Sequence, residues 1–306
     1  MSEQKMKPLF KYIGGKSWLR DELRMHVVES LQKTKITTYA EPFAGGLGSF
    51  LNVYDLLLEN NIKDVILSDI NEALIYTYNA IKYNHQNFIY EFLLIENQFS
   101  QLIDSSWKEK SKNDIKICLK NAEIFFNIIK KEFNLNKNKV DIRQSAKLVF
   151  LQKHSFNGIY RENLKGEYNT PFNWSGSNMI DTIEDKVNEI HNLFNKFNLT
   201  FITQSFENID YNNNTLYYLD PPYLNDSFGE NKYNKSSFNI SQQILLINKI
   251  KDFNFIYSNH KSDLLIKEFE NIKDINIKEI ARKNIMSSNS ESRKKDKIEI
   301  LISHHI

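Results

Sequence analysis

The feature that most restricts the fold of this chain is a series of short, almost wholly apolar runs. Runs without apolar–polar alternation are typical of strands buried on both faces of a parallel sheet. The sequence therefore predicts an α/β fold with a mostly parallel, doubly wound sheet. Five runs are rich in β-branched and aromatic residues and have the length of strands: ITTYAE (36–41), DVILSD (64–69), LTFITQ (199–204), TLYYLD (215–220) and FNFIYSN (253–259).

Helical periodicity lies between the early runs, and a different pattern closes the chain. Apolar residues at spacings of three and four predict helices over 16–31, 47–59 and 71–83. Near the end, INIKEIARKN and DKIEILISHH alternate apolar and polar residues on either side of a polar loop. This pattern predicts an antiparallel C-terminal hairpin at one edge of the sheet.

The alternation of strands and helices stops between residues 84 and 198. Three helix-like segments occur there, followed by a stretch rich in Gly, Asn and Pro: 87–99, 114–133, 141–156 and then 157–178. We therefore predict a mainly helical insertion, residues 85–198, within a catalytic domain made of residues 1–84 and 199–306.

Composition limits the classes of function. The 306 residues are 41% hydrophobic, enough for a sizeable core, yet no apolar run has the length needed to span a bilayer. The N-terminus lacks the apolar core of a signal peptide, so we expect a cytoplasmic protein without membrane contact. A single cysteine, Cys118, excludes an internal disulfide and a multi-cysteine zinc site. Because His304 and His305 lack partnered acids, we expect no bound metal.

Charge is informative only in its distribution. The net charge of +2 and the pI of about 8.3 leave the partner open. Basic residues cluster within 281–297, which suits either a solvated face or an anionic partner.

Three polar motifs follow predicted strands or precede predicted helices, where open α/β sheets bind ligands. The glycine-rich turn at Gly45 offers free N–H groups to an anion, or is only a tight connection. Asp69 ends the next strand, where an acid holds a ribose diol or caps the following helix. Tyr12 and Lys16 offer an aromatic face and a cation for a carboxylate, or form an ordinary loop.

The stretch YYLDPPYLND ends a predicted strand in a stiff corner, because a residue before proline is pushed toward extended backbone. An exocyclic amine of a nucleobase is a poor nucleophile, since its lone pair is shared with the ring. The Asp220 carboxylate and the Pro221 carbonyl could accept its two hydrogens, localise that lone pair and aim the nitrogen at an electrophile. After Pro222, Tyr223 could stack on a base flipped out of the double helix.

Together these motifs resemble the Dam family of DNA adenine methyltransferases, in the group alpha order in which the cofactor region comes first and the catalytic motif last. The resemblance implies a Rossmann-like, S-adenosylmethionine-dependent methyltransferase sheet with an inserted target-recognition domain. It implies methyl transfer to N6 of adenine in duplex DNA by base flipping. The matching segments are FKYIGGK, AEPFAGGLGSFLN, SDINEALI, FNGIYRENLKGEYNTPF, DPPY, YSNH and SSNSESRKKDKIEIL.

The same resemblance assigns cofactor contacts. It implies that S-adenosylmethionine contacts Tyr12, Lys16, Asp69 and Asp220, with Tyr12 standing where relatives often have tryptophan. Phe43 and Phe206 would line the cofactor site, or pack in the core.

The resemblance also assigns DNA contacts. FNGIYREN resembles the DNA-reading segment of the family, so we expect Arg161 to read a guanine through two hydrogen bonds. Asn157 and Asn163 are adjacent candidates, while Tyr168 and Asn169 either touch DNA or belong to a folded turn. Basic residues of the loop before the last strand would meet phosphates, which position the protein without specifying sequence: Arg293, Lys294 and Lys295.

The resemblance favours GATC as the target, although Glu162, Ser290 and Glu291 depart from relatives and leave it open. We expect double-stranded DNA as partner, a monomer on DNA and nucleoid association, and a cognate restriction endonuclease stays open. An RNA adenine methyltransferase would use the same corner. A DNA-binding protein with lost catalysis is opposed by the intact corner, and an NAD-dependent oxidoreductase is more distant. Cytosine-carbon methylation is excluded, because Cys118 lies away from every motif.

Overall fold

A computed structural model describes residues 6–9, 18–103, 112–174, 183–223, 238–282 and 297–306. The chain divides into two compact units. Of the described residues, the first unit holds 6–9, Gly45–Leu51 and Asn71–Phe201. The second holds the described parts of Ser17–Ala44, Asn52–Ile70 and Ile202–Ile306. The division into residues 85–198 and the two flanking segments stays a prediction.

Within these described residues, seven strands form one sheet in the order β3-β2-β1-β4-β5-β7-β6. The pairs β1–β2, β1–β4 and β4–β5 are parallel, whereas β7 runs antiparallel to both β5 and β6. The predicted α/β class, the mostly parallel sheet and the antiparallel C-terminal pair are therefore confirmed. The strands are β1 (Thr38–Glu41), β2 (Asp64–Asp69), β3 (Asn198–Thr203), β4 (Thr215–Leu219), β5 (Asn254–His260), β6 (Ile275–Arg282) and β7 (Lys297–His304).

The order of the strands creates a switch point between β1 and β4. The chain runs outward from β1 to β2 and β3, and then returns to place β4 on the other side of β1. In open α/β sheets the carboxyl ends of strands at such a point flank the ligand crevice. The antiparallel strand β7 has the opposite direction, so its first residues lie at this same edge.

Helices occupy most of the remaining described residues. In the second unit, apolar residues of α8 and α9 pack on the sheet with Tyr217, Leu219, Phe255 and Tyr257. Burial of these large side chains is the main favourable term in the stability of such a layer. The helices are α1 (Arg20–Lys33), α2 (Phe50–Glu59), α3 (Glu72–Ser100), α4 (Lys112–Cys118), α5 (Lys120–Leu135), α6 (Ile142–His154), α7 (Ile183–Phe194), α8 (Ile240–Ile250) and α9 (Asp263–Glu270).

The first unit is mainly helical and has its own core, in which α3 packs along α6. The Phe99 ring lies 5.2 Å from that of Phe150 and 4.2 Å from that of His154. The two helices predicted around residue 84 form one helix, α3, in which Asn84 interrupts the helical backbone (φ −144°, ψ 38°). Helix α7 was not predicted, although its buried residues Ile183, Val187 and Ile190 have helical spacing.

None of the described helices combines the length and apolar character needed to cross a lipid bilayer.

Candidate functional site

The corner after β4 is fixed by the neighbouring strand. The parallel register pairs Leu219 with Tyr257, which brings Ser258 of β5 beside Asp220. Ser258 Oγ donates a hydrogen bond to Asp220 Oδ1 at 3.0 Å. The same serine hydroxyl lies 3.0 Å from the hydroxyl of Tyr218, and both side chains are buried. The carboxylate is therefore held in one orientation by a buried donor.

The two prolines are held differently from each other. Gln243 of α8 donates from Nε2 to the Pro222 carbonyl at 3.0 Å, and its Oε1 accepts from the Tyr257 hydroxyl at 2.6 Å. No residue in the described part of the chain donates a hydrogen bond to the Pro221 carbonyl. That carbonyl thus keeps its accepting capacity next to the Asp220 carboxylate.

Tyr223 is held at both its hydroxyl and its ring. The hydroxyl donates to Glu299 Oε2 at 3.0 Å, and the ring meets the His260 ring edge-on, with centroids 4.5 Å apart and planes at 72°. Burial, with a smaller contribution from the carboxylates of Asp220 and Glu299, raises the pKa of Tyr223 well above its ordinary value. The phenol therefore stays protonated and acts as a donor.

A second acid, Glu41, lies at the end of β1 on the other side of β4. It is only 1% exposed and accepts a hydrogen bond from the Tyr39 hydroxyl at 2.8 Å. Burial raises the pKa of Glu41, the Tyr39 hydrogen bond lowers it and the Asp220 carboxylate raises it, and together they bring it to about 8. Glu41 therefore carries a proton at neutral pH, which limits the negative charge beside Asp220.

An aromatic cluster follows β1 in the second unit. The ring of Phe43 lies 5.7 Å from that of Phe206 and 5.5 Å from that of Phe238. Phe206 is buried, so core packing accounts for it, whereas Phe43 is half-buried. The loop is fixed to the next strand by the Ala44 N–H, which donates to the Ser68 carbonyl at 2.9 Å.

Asp69 lies half-buried at the end of β2, and its main-chain carbonyl accepts from Gln204. The cap of α3 is Asn71, whose side chain accepts from the Leu74 N–H. The alternative that Asp69 caps this helix is therefore wrong.

The glycine-rich turn belongs to the first unit. Gly45 has a positive φ of 45°, a conformation that favours glycine, and its carbonyl accepts from the Tyr78 hydroxyl at 2.6 Å. A turn of this kind serves as a tight connection, and its proposed contact with a ligand stays a prediction.

Residues 161–169 form a hairpin in the first unit. Asn169 N–H donates to the Arg161 carbonyl at 2.9 Å, and Glu162 pairs with Tyr168 in an antiparallel bridge. The Arg161 side chain is exposed, and its Nε donates to Asn169 Oδ1 at 2.8 Å. Asn169, on the opposite side of the hairpin, thus holds the Arg161 guanidinium at the surface.

The other residues of this segment have different surroundings. Asn163 holds the turn, since its Oδ1 accepts from the Lys165 and Glu167 N–H groups. Tyr168 is 2% exposed and donates from its hydroxyl to the Leu151 carbonyl, which favours the folded-turn alternative for this residue. Asn157 is exposed with a positive φ of 58°.

Sequence reasoning missed several residues that the structure places at these sites. Three of them lay inside the matching segments but were not singled out: Glu41, Ser258 and Glu299. Phe156, 54% exposed beside Asn157, was also missed, although an exposed aromatic in a polar loop is a readable signal. His154 is buried against Glu96, with Nε2 and Oε2 2.9 Å apart, so it is structural.

Five predicted residues lie outside the described residues: Tyr12, Lys16, Arg293, Lys294 and Lys295. Within the described residues, no group of three or more His, Cys, Asp and Glu side chains could hold a metal ion.

Comparison with known proteins assigns a family to this geometry. The family model described as D12 class N6 adenine-specific DNA methyltransferase matches residues 12–290. The chain is 28% identical to the type II methyltransferase M.MjaIII of Methanocaldococcus jannaschii, over 98% of this chain and 99% of that protein. It is 25% identical to the DNA adenine methylase of Escherichia coli, over 95% and 93% of the two chains. A third relative is the type II methyltransferase M.CviBI of Paramecium bursaria Chlorella virus NC1A, 28% identical over 80% and 79%.

Proposed function

Because the chain belongs to the D12 class of N6 adenine-specific DNA methyltransferases, we propose that it methylates a flipped adenine in a short duplex sequence, with S-adenosylmethionine as donor. The enzyme class and the DNA substrate come with the family. The donor, the flipping of the base and the target sequence are the finer parts of the proposal. The observation that carries them is the corner at Asp220.

The corner has the groups that an exocyclic amine requires. The Asp220 carboxylate, oriented by Ser258, accepts one N6 hydrogen, and the Pro221 carbonyl accepts the other. Both interactions localise the nitrogen lone pair and aim it in one direction. Asp220 also stabilises the positive charge that builds on the nitrogen as it gains a fourth bond. Tyr223 stacks on the flipped base, and its ring is already held by Glu299 and His260.

The residues of the second unit fit S-adenosylmethionine. Asp69 at the end of β2 would hold the ribose hydroxyls, and the half-buried Phe43 would face the adenine ring. The Asp220 carboxylate would face the sulfonium. When bound, the cofactor supplies an electrophilic methyl group. Gly45, Tyr12 and Lys16 remain predicted contacts of the cofactor. Because Phe206 is buried, we propose that it supports the Phe43 ring and does not itself face the cofactor.

Residues 85–198 are proposed as the target-recognition domain, with the hairpin at Arg161 as its reading element. An exposed arginine held in one plane can make two hydrogen bonds to guanine O6 and N7 in the major groove. Asn157 and Phe156 flank this hairpin at the surface, and an exposed aromatic there can insert between base pairs. Arg293, Lys294 and Lys295 would contact phosphates. We keep GATC as the expected target.

The remaining partners follow from this function. We expect one protein molecule on each DNA site, in the nucleoid of the host cell. A cognate endonuclease would make the protein half of a restriction–modification system, as the type II designation of two relatives suggests for those proteins.

Methyl transfer from labelled S-adenosylmethionine to duplex DNA and to structured RNA tests the proposal. We expect label in the duplex alone, at N6 of adenine, and sequencing of the modified DNA then gives the target. Asp220→Ala should abolish transfer and leave DNA binding within about threefold, because the carboxylate acts on the amine. Asp252→Ala, at an exposed position of the same unit, is the control. Label in RNA, or equal loss of binding and transfer in Asp220→Ala, would contradict the proposal.

A further inference from the structure

Glu299 reaches the catalytic corner because of the direction of β7. This strand is antiparallel to β5 and pairs Glu299 with His260, so its beginning lies at the edge where β4 and β5 end. Its side chain is 1% exposed, although a carboxylate is seldom so deeply buried without a specific partner. One partner is the hydroxyl of Tyr223, which donates to Oε2 at 3.0 Å.

Within the described part of the chain, β5 and β7 each restrain the Tyr223 ring. His260 of β5 packs edge-on against it with ring centroids 4.5 Å apart, and Glu299 of β7 holds its far end. A tyrosine ring turns about two bonds, and the hydroxyl lies on the axis of the second. A hydrogen bond at the hydroxyl thus fixes where the ring lies, while the edge contact fixes its tilt.

We propose that Glu299 is a positioning residue, which holds the Tyr223 ring in the orientation that receives the flipped adenine. The proposal rests on the proposed function, since it concerns the same base. Glu299 acts through Tyr223 and touches neither the base nor the cofactor. Its removal should therefore affect the stacking of the base and the turnover number more than the affinity for DNA.

The experiment uses the full-length chain and a duplex with 2-aminopurine at the mapped target position, together with the unmodified duplex. Stacking on an aromatic ring quenches 2-aminopurine, so its fluorescence in the complex reports how well Tyr223 covers the flipped base. Glu299→Leu should brighten the complex and lower kcat about tenfold, the effect of losing one charge-assisted hydrogen bond, with the Kd for DNA changed less than about threefold. Glu299→Gln keeps an accepting oxygen and should keep most of the activity and the quenched signal.

A double-mutant cycle separates this role from simple destabilisation. Tyr223→Phe removes the same hydrogen bond from the other end and should brighten the complex in the same way. In the Tyr223→Phe background, Glu299→Leu should have little further effect on kcat. If Glu299→Leu fails to fold, Glu299→Gln and Tyr223→Phe still give the comparison.

Two results would overturn the inference. One is a wild-type signal and kcat in Glu299→Leu or Tyr223→Phe. The other is full additivity of the two substitutions. Transfer by the wild-type protein is measured on the unmodified duplex, which keeps the N6 amine, so failure of the proposed function is seen separately: the wild type would then transfer no methyl group.

Discussion

Ser258 and Asp220 come from different strands, yet the serine hydroxyl donates to the aspartate carboxylate at 3.0 Å. The parallel pairing of β4 and β5 sets this distance, and the Tyr218 hydroxyl on the other side of Ser258 fixes the rotamer of the serine. The orientation of the proposed catalytic group is therefore a property of the sheet.

Ser258→Ala should lower kcat about tenfold, because the Asp220 carboxylate loses a hydrogen bond that orients it. The change should appear in single-turnover methyl transfer with little effect on DNA binding. Ser262→Ala is the matched control, since Ser262 makes no side-chain cap at the start of α9. Unchanged single-turnover rates in Ser258→Ala would show that Asp220 needs no such donor.

Arg161→Ala should relax the choice of sequence, because two hydrogen bonds to one guanine are worth about 1–3 kcal/mol of discrimination. Binding to the mapped target and to duplexes altered at one base pair measures this discrimination. Lys294→Ala should instead weaken binding to every duplex and reduce the salt dependence. If the two variants behave alike, Arg161 is a phosphate contact.

Asn169→Ala should weaken the same discrimination by a smaller factor, about threefold to tenfold, because Arg161 loses the partner that holds its guanidinium. Binding to the same set of duplexes measures this discrimination. Asn169→Asp keeps the accepting oxygen and is expected to restore the hydrogen bond, whereas equal behaviour of Asn169→Ala and the wild type would exclude a positioning role.

Glu41 gives a prediction about pH. Its pKa is 4.5 in an unfolded chain and about 8 in the folded protein, so the folded state keeps a proton that the unfolded state loses. Protonated Glu41 makes its full contribution to the free energy of unfolding below about pH 4.5. This contribution falls by about 1.4 kcal/mol per pH unit as pH rises toward 8. Glu41→Gln cannot ionise and should gain stability over the wild type as pH rises from 5 to 8.

Urea unfolding of both proteins across this range measures the difference, with Glu59→Gln at the exposed end of α2 as control. A difference that does not change with pH would mean that Glu41 ionises normally in the folded protein.

The Glu96–His154 pair supports the first unit from inside. His154→Ala leaves the fully buried Glu96 side chain without this hydrogen-bond partner, and should cost about 1–3 kcal/mol of unfolding free energy. Thermal unfolding should show the loss, whereas His85→Ala, at a partly exposed ring of the same unit, should change stability much less. A small effect of His154→Ala would mean that water or a rearranged side chain replaces the imidazole.

Strands β4 and β5 were predictable because their apolar runs record burial on both faces, and β4 is buried at all five residues. The corner at Asp220 was predictable because prolines and an acid in one short stretch constrain the backbone locally. The side chains that meet this corner were not predictable. Glu41, Ser258 and Glu299 meet it through the order β1-β4-β5-β7, and strand order follows from long-range pairing that local periodicity does not contain.

The hairpin at Arg161 shows a different limit of sequence-based prediction, in which the residues are identified but their roles are not. Polar residues in a loop suit both recognition and turn formation, and sequence cannot separate the two. Asn163 is used to hold the turn, and Tyr168 lies in the core, while Arg161 remains at the surface. Only the direction of each side chain distinguishes them, and that direction depends on the pairing of Glu162 with Tyr168.

The position of β4 has a consequence for how the enzyme would lose activity. This strand is paired on both edges, and its amides can exchange with deuterium only when the neighbouring strands separate. Asp220 follows directly on this doubly paired strand. Denaturant should therefore inactivate the protein at the same midpoint at which the sheet melts, without an earlier phase in which the chain is folded but inert.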